Sequence, residues 1–101
     1  MQANGKTYKV TEIKDNAFKK FAKLKTVTLG KNIKTIGKNA FNGCKKLKTI
    51  TFKGNSVKKI GKSAFKNIYK KATFKCPKKK LNAYETLCRK AGAPKKAKFK
   101  K

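Results

Sequence analysis

Two alternating runs stand out in this chain, Thr26-Val27-Thr28-Leu29 and Thr49-Ile50-Thr51-Phe52, each with an apolar residue at every second position. A period of two predicts strands with one buried face, and the β-branched residues suit that conformation. Elsewhere the spacing changes. In Lys38-Asn39-Ala40-Phe41-Asn42-Gly43-Cys44 the larger apolar residues fall three apart, which predicts one helical turn. Asn16, Asn39 and Ser63 each precede an Ala-Phe pair, where they would serve as N-caps.

These blocks recur. Val10-Thr-Glu-Ile13 aligns with Ile33-Lys-Thr-Ile36 and Val57-Lys-Lys-Ile60, and Asn16-Ala17-Phe18 aligns with Asn39-Ala40-Phe41 and Ser63-Ala64-Phe65. Phe21, Cys44 and Ile68 stand three residues after each Phe. Leu24 and Leu47 follow, and Lys71 breaks the third copy. Val27-Thr28-Leu29, Ile50-Thr51-Phe52 and Phe74-Lys75-Cys76 close the copies. The offset is 23 residues between the first two copies. It becomes 24 after Phe52, where Lys53-Gly54-Asn55-Ser56 is one residue longer than Gly30-Lys31-Asn32. A Gly/Asn turn at a surface corner tolerates such an insertion. One copy cannot bury its apolar side alone. Stacked copies can, with strands ~4.8 Å apart in a parallel ladder. The stack predicts an internal column of Phe18, Phe41 and Phe65, with Val27, Leu29, Ile50, Phe52, Phe74 and Cys76 pointing inward. Gly37 and Gly61 are expected to serve backbone conformation at tight corners, and Tyr8, Tyr69 and Tyr84 to serve packing.

Pro77 has no N–H to offer a ladder and ends the third strand. Beyond it Leu81, Tyr84, Leu87, Cys88 and Ala91 recur at spacings of three and four, predicting an amphipathic helix over 78–91 that stops at Gly92 and Pro94. Its expected role is to cover the last coil, since repeat arrays need an end cap. The tail Lys95–Lys101 would add a short strand or stay loose. At the other end, Met1–Gly5 reads as a trimmed start, and it lacks the charged-then-apolar layout of a signal peptide. No apolar run nears the ~20 residues of a membrane span.

Composition narrows the chemistry. A chain of 101 residues is one small domain or a piece of a larger protein. Lys and Arg number 31 against 3 Asp and Glu, with no His, for a net charge of +28. Acid–base catalysis, Ser–His–Asp triads and most metal sites need groups that are nearly absent here; the carboxylates are Glu12, Asp15 and Glu85. The expectation is therefore no enzyme, no cofactor, no metal and no small-molecule substrate. The basic excess fits a polyanion partner or a solvated surface that uses Lys wherever it needs a polar residue. Arg89 is the single arginine, and base-reading proteins favour Arg, which argues against sequence-specific DNA recognition. Cys44, Cys76 and Cys88 form no metal-binding spacing. A helix folded back over the last strand would bring Cys76 toward Cys88, so a disulfide and two buried thiols both fit.

The run Ile36-Gly-Lys-Asn-Ala40-Phe41-Asn-Gly-Cys44-Lys-Lys-Leu47-Lys-Thr-Ile50-Thr-Phe52 resembles the BspA-like (Treponema-pallidum-type) leucine-rich repeat, over about residues 8–77. Phe21 and Ile68 depart from it at the Cys44 position, and Lys71 interrupts the third copy. The resemblance implies a bacterial, extracellular or cell-surface protein with ligand binding or adhesion as its role, and it supplies no catalytic residues. These repeats normally form longer arrays, so the chain looks like the C-terminal end of one. An exposed strand edge near Tyr8 to Val10 would then invite self-association.

The fold expected is an α/β repeat, a short right-handed leucine-rich-repeat solenoid with a parallel β ladder and a C-terminal helical cap. Residues 1–77 would hold about three coils, the first of them partial, and residues 78–101 the capping helix and basic tail. With the apolar strand residues inward, Thr26, Thr28, Thr49, Thr51, Thr73 and Lys75 point out, flanked by Lys48 and Lys53. This face is the candidate ligand-binding surface, for an extracellular or host protein. Its alternatives are plain strand propensity of Thr, non-specific binding of an anionic polymer (teichoic acid, a sulfated glycan or nucleic acid), and a purely structural end cap.

Overall fold

Polar and apolar positions sort onto opposite sides of two ladders. The computed structural model describes residues 2–4, 6–7 and 11–101. In chain order the strands are β1 (Gln2–Ala3), β2 (Lys6–Thr7), β3 (Glu12–Ile13), β4 (Thr26–Leu29), β5 (Thr35–Ile36), β6 (Thr49–Phe52), β7 (Lys59–Ile60) and β8 (Thr73–Lys75). A 3-10 turn over Lys78–Lys80, helix α1 (Leu81–Lys90) and strand β9 (Lys98–Lys100) follow. The larger sheet runs β2-β1-β4-β6-β8-β9, and the smaller one runs β3-β5-β7. From β4 to β9 every pairing is parallel, as is every pairing in the smaller sheet. The chain is thus an α/β repeat with a parallel ladder and a helical cap.

A third ladder runs along the turns between the sheets. Asn16, Phe18 and Lys20 donate their N–H groups to the carbonyls of Lys38, Ala40 and Asn42 in the next coil, at 2.8, 2.8 and 2.7 Å. Asn39, Phe41 and Gly43 do the same to Lys62, Ala64 and Lys66. The residues between them bond within their own coil, so backbone polar groups find partners in both directions. This replaces the predicted helical turn. Asn16, Asn39 and Ser63 are not N-caps: they sit at φ +62°, +56° and +61°, the left-handed region. Lys20, Gly43 and Asn67 repeat that conformation four residues on, at +60°, +86° and +59°. Asn enters this region more readily than other side chains, which is why it looked locally like a cap.

The inward strand residues are all buried. Phe18, Phe41 and Phe65 stack as predicted, with centroids 5.4 and 5.5 Å apart and rings within 7° of parallel. Phe74 meets Phe65 edge-on and stacks on Phe99 at 4.5 Å. Gly37 and Gly61 have a different reason from the one expected. Neither has a positive φ. A Cβ on Gly61 would stand 2.5 Å from the Lys38 amide nitrogen, and one on Gly37 would strike the Asp15 backbone. The coils approach too closely there for any side chain.

Both ends are closed, the C-terminal one by the helical cap that the sequence pattern predicted and the other by a strand pairing that it did not reveal. β1 pairs antiparallel with β4, so the start of the chain lies on the edge of the larger sheet. Asn4 secures it: its Oδ1 accepts from the Lys25 and Thr26 amides at 2.9 and 3.2 Å, and its Nδ2 donates to the Lys23 carbonyl. The edge expected at Tyr8 to Val10 lies outside the described residues. At the far end α1 buries Tyr84 and Cys88, and Ala91 at its C-terminus accepts from the Phe65 amide. Tyr84 reaches into the longer turn, donating to the Gly54 carbonyl at 2.9 Å and accepting from the Val57 amide at 3.2 Å. The inserted residue thus lies in the turn that receives the cap. The tail forms β9 and extends the ladder.

Candidate binding face

Register decides which side chains share the open face. Thr26, Thr49, Thr73 and Lys98 form one column, and Thr28, Thr51, Lys75 and Lys100 form the next. The structure therefore brings together the six strand residues expected to point outward. Thr26 and Lys75 are exposed, while Thr28, Thr49, Thr51 and Thr73 are half-covered by their column neighbours. Lys53 continues the outward alternation after Thr51 and is exposed. Lys48 stands apart at the corner before β6, its Nζ 5.5 Å from the centre of the Tyr69 ring. Lys98 and Lys100 belong to the same columns but escaped the sequence reading, because the alternation Ala97-Lys98-Phe99-Lys100 was too short to fix a strand. The face thus grades from threonine on β4 and β6 to lysine on β8 and β9.

The charge on this face is unneutralised. Among the described residues the one ion pair is Arg89 with Glu85, at 3.6 Å within α1. Among the described residues no side-chain nitrogen or oxygen is buried without a hydrogen-bond partner. Arg89 instead organises the tail: it donates to the carbonyls of Pro94 at 2.6 Å and Ala97 at 3.1 Å, and lies 4.9 Å from the centre of the Phe99 ring.

The thiols are sequestered in the core. The three cysteines are free and buried, so Cys76 and Cys88 are thiols and not a disulfide. Burial pushes Cys44 and Cys76 up to about 11, and it raises Cys88 further. Such thiols stay protonated at neutral pH and are poor nucleophiles. Among the described residues no cluster of His, Cys, Asp and Glu could hold a metal ion. A depression of about 550 Å³ lies on the turn side, lined by residues including Lys20, Asn42, Lys45 and Asn67. It is open and carries no converging catalytic groups.

A family model described as a BspA type leucine-rich repeat region (6 copies) matches residues 6–90. The chain belongs to the BspA-type leucine-rich repeat family. No curated protein and no solved structure matches it. The stacked coils are therefore BspA-type repeats, and the open face is the outer surface of their parallel ladder. Leucine-rich repeats generally mediate protein interactions and are generally non-catalytic, so membership suggests a protein-binding module.

Proposed function

We propose that this chain is a non-catalytic extracellular adhesion module of a bacterial cell-surface leucine-rich-repeat protein. It engages an extracellular or host protein through Thr26, Thr28, Thr49, Thr51, Thr73 and Lys75, with Lys48 and Lys53 at the margin. The observation that carries this reading is the register of the open face, which aligns short hydrogen-bonding side chains in two columns over a rigid, fully packed ladder. Solenoid sheet faces serve widely as binding surfaces, and BspA-type repeats are typically associated with the cell surface.

A second reading rests on charge. Of 31 basic residues only Arg89 pairs with a carboxylate among the described residues. The unpaired lysines would attract an anionic cell-surface polymer without regard to sequence or register. A panel of immobilised fibronectin, collagen, heparin, teichoic acid and duplex DNA separates the two, read at about 0.15 M and about 0.5 M NaCl. The adhesion reading expects one protein to be retained at the higher salt. Binding to every polyanion that disappears with salt would favour the second reading.

A further inference from the structure

The turn side of the stack carries a notch at Gly43. Lys20, Gly43 and Asn67 share the left-handed conformation in three successive coils. Backbone bonds keep those coils in register, from the Lys20 amide to the Asn42 carbonyl and from the Gly43 amide to the Lys66 carbonyl. Coils stack ~4.8 Å apart, so Lys20 and Asn67 stand about 10 Å apart with no side chain between them. This gap is the depression of about 550 Å³, within the ~300–1,000 Å³ of small-ligand sites. It lies inside the stack, with a described coil on each side of Gly43, so its shape does not depend on either end of the chain. Asn42 and Asn67 line it and are held by each other: Asn67 Nδ2 donates to Asn42 Oδ1 at 3.3 Å, and Asn42 Nδ2 donates to Asn39 Oδ1 at 3.0 Å. Each of these two amides keeps a second N–H, and the Asn67 carbonyl has no partner among the described residues. Lys20 and Lys45 flank the notch, both exposed, and no carboxylate lines it.

The geometry points to this notch as a binding site for a uronic-acid unit of an acidic glycan. The sugar carboxylate pairs with Lys20 and Lys45. Its hydroxyls exchange hydrogen bonds with the oriented amides of Asn42 and Asn67, and its C–H face rests on Ala22, Gly43 and Ile68. An extended peptide suits the notch less well. The Lys20, Asn42, Gly43, Cys44 and Lys45 amides are all spent in the turn ladder, so little main chain is left to pair with a strand. A nucleic acid suits it less well too, since no aromatic ring lines the notch to stack on a base. Lysine alone would take any anion. The paired amides between the lysines are what select a polyhydroxylated one. The site lies away from the sheet face and is separate from the adhesion reading above. It differs from the charge-only reading in being confined to one place and in needing neutral side chains.

The test is titration of the isotope-labelled intact chain with trigalacturonate at about 0.15 M NaCl, followed by backbone and Asn side-chain amide NMR. The expected result is saturable shifts centred on Asn42, Gly43 and Asn67, with a Kd of about 1 mM. The methyl-esterified trimer has the same rings without the charge and should bind about fivefold more weakly or worse. Gly43→Asn fills the notch with a side chain that tolerates the left-handed region, and it should weaken binding about tenfold. Asn67→Gly suits the same backbone conformation but removes an amide, and it should lose about fivefold. Lys20→Gln/Lys45→Gln should abolish binding, while Lys31→Gln/Lys58→Gln, which removes two exposed charges outside the notch, should leave it intact. Equal binding of the acid and its ester would overturn the proposal, as would equal loss in the two lysine pairs. Full binding by both Gly43→Asn and Asn67→Gly, or no shift at about 10 mM trimer, would overturn it as well. Shifts centred on Thr28 and Thr51 would overturn the notch and leave the face reading standing.

Discussion

At the scale of single residues, the exceptions to a lysine-rich pattern carry the most structure. Arg89 is the one arginine because one side chain must reach the carbonyls of Pro94 and Ala97 and cover Phe99, which needs a planar fork of donors. Lysine offers one point of charge. We expect Arg89→Lys to loosen the tail, with amide exchange at Lys98 about tenfold faster while β4 and β6 keep their protection. Tyr84 has a comparable role at the inserted turn. Tyr84→Phe keeps the contact with Phe52 at 4.8 Å but leaves the Gly54 carbonyl and the Val57 amide without their partner. It should cost about 1–3 kcal/mol in denaturant unfolding. The thiols should be silent: Cys44, Cys76 and Cys88 should resist a disulfide reagent at pH 8 in the native protein and react once it is unfolded. Their raised pKa values and burial act in the same direction, since reaction needs an exposed thiolate.

At the scale of elements, legibility followed the range of the interactions. Strands β4 and β6 and the Phe18–Phe41–Phe65 column could be read directly, because period-two alternation and a fixed repeat offset are local signals with one stacked solution. The turn ladder could not. An Asn before Ala-Phe is a good cap by local rules, and only the spacing to the next coil makes it a left-handed corner. Ser63 distinguishes the two accounts. As a cap, Ser63→Gly would lose its side-chain hydrogen bond. At φ +61° the same change relieves the Cβ, so stability should hold or rise by up to about 1 kcal/mol. Gly61→Ala should do the opposite and cost about 1–3 kcal/mol, because its Cβ has no room against Lys38 and Gly37. β1 was missed although Asn4-Gly5 is a known hairpin signal. Its pairing with β4 is set by Asn4, and no pattern in residues 1–7 reports that. Phe21 shows the limit of aligning copies. It occupies the position of buried Cys44 and Ile68, yet it is 44% exposed, because the first coil has no described neighbour on its outer turn.

At the scale of the whole molecule, the fold and the charge pull in different directions. A net charge of +28 on one small domain repels itself, and the packed ladder holds it together. Raising NaCl from about 0.01 M to about 0.5 M shortens the screening length from ~30 Å to a few ångströms, so the melting temperature should rise with salt. The candidate face was largely legible, since inward residues fix outward ones. Lys98 and Lys100 were not, because their strand depends on Arg89. What the face binds was legible only as far as family and register reach. The measurement that tests the central claim compares two variants against whichever protein is retained at about 0.5 M NaCl. Thr28→Ala/Thr51→Ala/Lys75→Ala removes the centre of the face. Lys23→Ala/Lys46→Ala/Lys70→Ala removes three exposed charges at equivalent turn positions of the repeats. Binding through the face predicts at least a tenfold loss in the first variant, about 1.4 kcal/mol, and little change in the second. Full binding by the first variant and loss in the second would contradict the account and leave charge alone as the cause.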